Sequence, residues 1–117
     1  MSYDLAFWYE EDAVDAAAAY AKYDAMTDGE SGVVARNPRV LEFHRDVLRI
    51  HPDLSEDMSE EEAERSPWNS SVYCNGECVL VSIAWSRKSE IVAALVDMAR
   101  RRGLLTYDPQ REAVIEA

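Results

Sequence analysis

The stretch SPWNSSVYCNGECVLVSIAWS, residues 66–86, decides the fold of this chain. Its Asn75-Gly76 pair lies between two runs of β-forming residues and favours a tight hairpin turn, because both residues accept positive φ. The pattern predicts strands over about 71–74 and 77–85. One face of the second strand is expected to be strongly apolar. The residues of that face are Val79, Val81, Ile83 and Trp85.

The same stretch contains both cysteines, and the length of the turn decides which faces they occupy. With a two-residue turn, Cys74 lies opposite Glu77 and Tyr73 opposite Cys78, so the two thiols point to opposite faces of the sheet. A three-residue loop over 75–77 would instead set the cysteines across from each other and permit a disulfide. The turn preference favours two separate, reduced cysteines. CxxxC spacing is also unlike the usual zinc and redox spacings.

Upstream of the hairpin, the pattern predicts one strand and two helices. Residues 3–9 are rich in aromatic side chains and indicate the strand. Residues 12–26 are rich in alanine and indicate a helix that ends near Gly29. Asn37-Pro38 has the cap and first-turn proline of a second helix. The apolar stripe expected on the first helix is Val14, Ala17, Ala18, Ala21 and Ala25, and the buried side expected on the second is Val40, Leu41, Phe43, Val47, Leu48 and Ile50.

Downstream of the hairpin, Ser86 is expected to cap a third helix that ends at Gly103. Residues 104–107 and 113–115 follow as a main strand and a short edge strand. The inward side expected on the third helix is Ile91, Val92, Leu95, Val96, Met98 and Ala99. Four side chains of the hairpin and this helix are expected to be nearly fully buried: Val81, Ile83, Leu95 and Met98.

The element order β-α-α-β-β-α-β predicts an α/β fold of the α+β sandwich type. The simplest arrangement is ferredoxin-like, with an antiparallel sheet and the helices on one face. In that arrangement the second helix and the acidic segment after it would be an insertion in the first crossover.

The composition bounds the organisation of the chain and its partners. With 117 residues, of which 48% are hydrophobic, residues 1–117 are expected to form a single globular domain. The formal net charge of −11 repels nucleic acid and anionic membranes and attracts cationic partners. The N-terminal sequence has no signal-peptide pattern, and no apolar run approaches the ~18 residues of a membrane span. We therefore expect a cytoplasmic protein that binds neither nucleic acid nor a membrane.

The acidic segment 53–66 and the tryptophan after it are the candidate binding site. The segment predicts a solvated loop, with at most a short helix around Ser59–Arg65. Trp68 follows Ser66-Pro67 and is expected to be partly exposed, where tryptophan is a common binding anchor. The expected partner-binding residues are Glu60, Glu61, Glu62, Glu64 and Trp68.

The sequence has no set of residues typical of catalysis or metal binding. His44 and His51 could share a helix face, but neither HExxH nor another compact metal spacing surrounds them. The acidic segment lacks the glycine and the ligand spacing of an EF-hand. No phosphate-binding glycine loop or GxSxG elbow occurs. We therefore predict no catalytic residue, no metal ligand and no cofactor.

Four short segments resemble motifs of a known group of proteins. They are MSYDLAFW at the start, SPW at 66–68, IAWS at 83–86 and GLLTYDPQ at 103–110. The group consists of small, acidic, mostly uncharacterised bacterial proteins, some of which look like immunity partners in toxin systems. The resemblance spans nearly the full chain, implies a binding function and transfers no site residues.

Two classes of function follow from the sequence. The leading interpretation is a non-enzymatic protein-binding module, most concretely an immunity-type inhibitor of a cationic bacterial toxin or effector, with a basic protein as its partner. The carboxylates of such an inhibitor can lie where the phosphates of the toxin's substrate would lie. The alternative is a small enzyme or ligand-binding domain with an aromatic pocket on the sheet. A homodimer through an edge strand is compatible with both.

Overall fold

A computed structural model of the chain describes residues 1–115. These residues form an antiparallel sheet of five strands in the order β2-β3-β1-β4-β5, together with four α-helices and a short 3₁₀ turn over Trp85–Arg87. The elements in chain order are β1 (Ser2–Trp8), α1 (Ala16–Thr27), α2 (Pro38–Ile50), α3 (Glu60–Arg65), β2 (Tyr73–Cys74), β3 (Cys78–Ala84), α4 (Lys88–Arg101), β4 (Leu105–Asp108) and β5 (Ala113–Ile115). The predicted α+β class with an antiparallel sheet is confirmed.

The central strand β1 is apolar on both faces. It pairs along its whole length with β3, from Ser2 opposite Ala84 to Trp8 opposite Cys78, and its second half pairs with β4. Leu5 and Phe7 pack into a core with α2 and α4, whereas Ala6 and Trp8 pack into a second core on the opposite face. Because successive residues of a strand point to opposite faces, this continuous apolar run requires helices on both sides of the sheet.

The expectation that the helices share one face is therefore wrong. Helix α1 covers the second core, where Ala19 and Met26 pack with Trp8 and Tyr107. Helices α2 and α4 lie together on the first face. The helix that stands apart is thus α1, and not α2 as the insertion hypothesis expected.

Helix α1 also turns a different side to the sheet from the predicted alanine stripe. It begins after Asp15, whose Oδ1 accepts a hydrogen bond from the amide of Ala18 (2.7 Å). The side packed on the sheet contains Ala19, Tyr23 and Met26, which follow the i, i+4, i+7 spacing of one helix face. Three members of the expected stripe are exposed instead: Ala17, Ala18 and Ala21. The larger tyrosine and methionine bury more apolar area than the alanines, and they decide which side faces inward.

Helix α2 begins as predicted, with the side chain of Asn37 accepting a hydrogen bond from the Arg39 amide (2.9 Å). Its buried stripe is Val40, Phe43 and Val47. Leu41 and Ile50 lie outside this stripe and are exposed, so their predicted burial is wrong.

Helix α4 buries Ile91, Leu95 and Ala99, as the sequence predicted. Val81, Ile83 and Leu95 are buried as expected, but Met98 is only half-buried. The predicted Ser86 cap is wrong, because the 3₁₀ turn precedes the helix and no side chain caps it. Strand β3 ends at Ala84, so Trp85 leaves the apolar face and is exposed.

Helices α2 and α4 are joined at one end by an ion-pair cluster. The guanidinium of Arg102 contacts Glu42 through Nη1 (2.6 Å) and Asp46 through Nε (2.8 Å). This arginine lowers the pKa of the Asp46 carboxyl by its hydrogen bond and positive charge. The cluster ties the end of α4 to the middle of α2.

Candidate partner-binding surface

The acidic helix α3 begins at a serine that caps its N-terminus. The hydroxyl of Ser59 accepts a hydrogen bond from the Glu62 amide (3.1 Å), the usual bond between an N-cap serine and the third helical residue. Glu60, Glu61 and Glu62 stand in the first turn, where the helix dipole favours negative charge. The short helix predicted around Ser59–Arg65 is confirmed.

The carboxylates of α3 are exposed and mostly unpaired. Glu61 forms an exposed ion pair with Arg65 (3.2 Å). Within residues 1–115, the side chains of Glu60, Glu62 and Glu64 form no ion pair. Glu60 and Glu64 are four residues apart on one side of the helix, where like charges repel. The helix thus presents a concentrated negative charge to solvent.

The acidic segment is largely exposed, as expected for a solvated segment, and hydrogen bonds between side chains and the backbone tie it to the rest of the fold at both ends. Oδ1 of Asp53 accepts hydrogen bonds from the amides of Leu54 (2.8 Å) and Val72 (2.9 Å), which ties the segment to the hairpin. At the other end, Nη1 of Arg87 donates to the carbonyl of Arg65 (2.8 Å). A segment whose backbone is held at both ends loses less backbone entropy when a partner binds.

Trp68 lies in the core, so its predicted exposure is wrong. Its side chain is 3% exposed, and its Nε1 donates a hydrogen bond to the carbonyl of His51 (3.0 Å). Its backbone forms a bridge to Ile83, which adds residues 67–69 to the outer edge of β3. Trp68 packs beneath the start of the acidic segment, where it contacts His51, and it is not available as a surface anchor.

A groove beside α3 contains apolar surface that the sequence did not predict to be exposed. It has a volume of about 330 Å³, and its apolar lining comes from Ile50, Pro52, Met58 and Pro67. Glu62 and Arg65 lie at its rim. Ile50 is 61% exposed although it ends an otherwise amphipathic helix. We name this feature the α3 groove.

The imidazole of His51 also lines the α3 groove. Its ring stands edge-on to the Trp68 ring, with a centroid separation of 6.1 Å. Burial lowers the pKa of His51, and the nearby positive charge of Arg87 lowers it further. The imidazole is therefore neutral at neutral pH and adds no positive charge to the acidic surface. His44 lies half-buried on α2.

The hairpin keeps the two thiols apart, as the turn preference predicted. Cys74 is paired with Val79 and Tyr73 with Leu80, so the loop spans four residues and the predicted register is wrong by two residues. A shift of two residues preserves the side on which each side chain lies. Cys74 packs against the first core and Cys78 lies in the second, and both are free.

The two thiols are expected to react at very different rates. Cys78 is fully buried, and its burial and the negative charge of Glu77 raise its pKa to about 12, whereas Cys74 is half-buried. Because the thiolate is the reactive species, a disulfide reagent should modify Cys74 first and Cys78 only on opening of the fold. Absorbance kinetics should show one fast thiol, absent in Cys74→Ser, and two thiols in denaturant. A count of zero in non-reducing denaturant would contradict the free cysteines.

The turn of the hairpin joins the sheet to the segment between α1 and α2. The carboxylate of Glu77 accepts hydrogen bonds from the Gly32 amide (2.9 and 3.0 Å), and Nη1 of Arg36 donates to the carbonyl of Asn75 (2.9 Å). Gly76 has a φ of 86°, and a Cβ there would lie 2.6 Å from Nη2 of Arg36. The CNGEC turn therefore has a structural role in this fold.

The first and last motifs of the chain meet beside the sheet. The hydroxyl of Tyr3 donates to Oδ2 of the buried Asp108. Gln110 bonds the backbone of Asp4 in both directions, accepting from its amide (2.6 Å) and donating to its carbonyl (2.7 Å). Burial and the Asp108 carboxylate raise the pKa of Tyr3 to about 12. The motifs MSYDLAFW and GLLTYDPQ thus contribute contacts that hold the fold together.

Comparison with known proteins gives no relative from which a function could be transferred. The chain matches no protein-family model, no curated protein and no solved structure. Within the described residues, no helix is long and apolar enough to cross a membrane, and His, Cys, Asp and Glu side chains form no group of three or more that could hold a metal ion.

Proposed function

We propose that this protein is a non-enzymatic protein-binding module, an immunity-type inhibitor of a cationic bacterial toxin or effector that acts in the cytoplasm. The observation that carries the proposal is the exposed, mostly unpaired carboxylate array on α3, held by hydrogen bonds at both ends of its segment. Glu60, Glu61, Glu62 and Glu64 are the proposed partner-binding residues. The motif resemblance to bacterial immunity-like proteins supports the same function.

The charge of the protein suits such a partner. A net charge of −11 draws a basic protein toward it over long range, and a local concentration of carboxylates directs the final approach. Glu60 and Glu64 repel each other on the free helix, and this repulsion is relieved when lysine or arginine side chains bind between them. On a toxin that acts on nucleic acid, these carboxylates would occupy the positions of substrate phosphates.

The alternative, a pocket of aromatic side chains on the sheet, has less support. Phe7, Trp8 and Tyr107 are fully buried in the two cores between the sheet and its helices. A homodimer through a sheet edge stays a prediction. The edge strands β2 and β5 contain two and three residues and offer few backbone groups for pairing.

We further infer that β1 to β4 form a ferredoxin-like core. The antiparallel order β2-β3-β1-β4 and the position of α2 and α4 on one face support this inference. Helix α1 on the other face and β5 at the edge would then be additions to that core.

Neutralising the carboxylate array is expected to slow association with a basic partner. The variant carries Glu60→Gln, Glu61→Gln, Glu62→Gln and Glu64→Gln, and the partner is the cationic product of a neighbouring gene. At low salt, stopped-flow kinetics should show an association rate about tenfold or more below wild type, because rim charges act mainly on encounter. The difference should shrink at high salt, where exposed charges are screened.

A matched variant controls for net charge. Asp12→Asn, Asp24→Asn, Asp28→Asn and Glu30→Gln remove the same number of exposed charges around α1, which lies on the other side of the sheet. We expect this control to associate much faster than the α3 variant, with unfolding free energies of both close to wild type. Equal association rates of the α3 variant and wild type would contradict the proposed function.

A further inference from the structure

We infer that the α3 groove binds an apolar side chain of the basic partner, while the partner's neighbouring lysine or arginine side chains contact the carboxylates of α3. This inference rests on the proposed function and identifies the part of the partner that binds. The α3 groove takes the role of apolar contact that the sequence suggested for Trp68, because Trp68 is buried beneath the surface. The apolar side chain that inserts at this contact then belongs to the partner, and this protein provides the groove.

The α3 groove leaves apolar surface open to solvent. Ile50 is 61% exposed at the end of α2, and Met58 and Pro67 contribute further apolar wall. The volume of about 330 Å³ lies at the low end of the ~300–1,000 Å³ range of ligand sites. A space of this size suits one large side chain and its immediate neighbours.

Hydrogen bonds and ring packing hold the floor of the α3 groove in place. Trp68 holds the carbonyl of His51 by a hydrogen bond of 3.0 Å, and its ring packs edge-on against the imidazole. The amide of Trp68 in turn donates to the hydroxyl of Ser66 (3.2 Å), which also lines the groove. A preformed groove binds a side chain without the cost of ordering its own walls.

The charges beside the α3 groove complement those of a basic partner. Glu62 lies at the rim of the α3 groove, and Arg65 beside it is paired with Glu61. A second groove between α2 and α4 shares Ile50 with the first, and its charged lining is Arg49, Arg101, Arg102 and Asp46. Arg101 is paired with Asp97, and Arg102 with Glu42 and Asp46. The unpaired carboxylates of α3 beside the first groove attract a cationic partner, whereas the carboxylate of Asp46 in the second groove is already paired with Arg102. The occupant that fits the α3 groove is thus an apolar side chain flanked by basic residues.

The test uses two synthetic lysine peptides, one with a single central leucine and one with serine in its place. Binding is measured by NMR titration at low salt, and the indole Nε1–H signal of Trp68 is assigned with Trp68→Phe. We expect the leucine peptide to bind about tenfold more tightly than the serine peptide, because one large apolar side chain leaves water. We also expect only the leucine peptide to shift the Trp68 indole signal substantially.

Two variants of α2 test whether the leucine contacts Ile50. Because Ile50 also lines the groove between α2 and α4, the shift of the Trp68 indole signal shows that the leucine lies in the α3 groove. Ile50→Ser removes one apolar wall at an exposed position and should abolish the preference for leucine. Leu41→Ser is the matched control, because Leu41 is also exposed on α2 but lies outside the α3 groove. It should leave the preference unchanged. Equal binding of the two peptides by wild type, or a leucine preference that persists in Ile50→Ser, would overturn the inference.

The glutamine variant of α3 separates this inference from the proposed function. If the glutamine variant binds both peptides more weakly and to the same extent, while wild type shows no preference for leucine, the acidic binding site is supported and the groove inference fails. If wild type binds neither peptide, or if the glutamine variant binds both as tightly as wild type, the proposed function and the inference built on it both fail.

Discussion

Replacing Trp68 with alanine is expected to lower the free energy of unfolding by about 3–5 kcal/mol, the range for truncation of a buried aromatic side chain. Trp68 is 3% exposed in the core between the sheet and α2, and it donates to the carbonyl of His51. Its removal leaves a cavity and an unpaired carbonyl, and both destabilise the fold. Denaturant unfolding followed by circular dichroism measures the loss.

The matched control is Trp85→Ala. Trp85 is 42% exposed and contacts Tyr3 and the ammonium of Lys88 at the surface. Its truncation should cost about 1 kcal/mol or less, since a surface cation–π contact contributes little. If Trp68→Ala were as stable as Trp85→Ala, Trp68 would be a surface residue, and the anchor role suggested by the sequence would return.

The hairpin shows what local sequence can establish. Asn75-Gly76 predicted a turn between two strands, and the alternation in β3 identified Val79, Val81 and Ile83 as buried. The register is wrong because the loop has four residues. Within this loop Oδ1 of Asn75 accepts hydrogen bonds from the amides of Glu77 (2.9 Å) and Cys78 (3.1 Å), and the remote segment before α2 contacts the turn as well. The faces predicted for the two thiols are nevertheless correct, because a register shift of an even number of residues leaves each side chain on the same face of the sheet.

Helix α1 shows where local sequence is insufficient. Its first half is almost uniformly alanine, so many orientations bury a similar apolar area, and the choice is made by Tyr23 and Met26 packing against the second core. The two-sided sheet is visible in β1, where the apolar run includes Leu5 to Trp8 without a polar interruption. Such a run is typical of a strand covered on both faces.

Part of the candidate site could be predicted from local sequence and part could not. Ser59 and the glutamates after it indicate a capped acidic helix from sequence alone, and the structure contains that helix. The burial of Trp68 depends on its backbone bridge to Ile83 and on the carbonyl of His51, which are fifteen and seventeen residues away. The α3 groove depends on the same contacts between distant segments, and no local pattern could have located it.

Replacing Ile83 with alanine is expected to lower the free energy of unfolding by about 2–5 kcal/mol. Ile83 is fully buried at the centre of the first core, opposite Tyr3 of β1 on one side and bridged to Trp68 on the other. Thermal and denaturant unfolding measure the loss. The control is Ser82→Ala, one residue away on the opposite face, which should change stability by about 0.5 kcal/mol or less. A loss below about 1 kcal/mol for Ile83→Ala would contradict the assigned face of β3.

A double-mutant cycle tests whether Ile83 and Trp68 share one packing unit. Side chains in contact usually show a coupling free energy of about 0.5–3 kcal/mol, whereas distant pairs are additive within about 0.5 kcal/mol. We expect Ile83→Ala and Trp68→Phe to be coupled, and Leu95→Ala with Ser82→Ala to be additive. Additivity of the first pair would mean that the side chains of Ile83 and Trp68 do not pack as one unit. The position of α3 would then depend on the hydrogen bonds of Asp53 and Arg87 and not on the packing of Trp68.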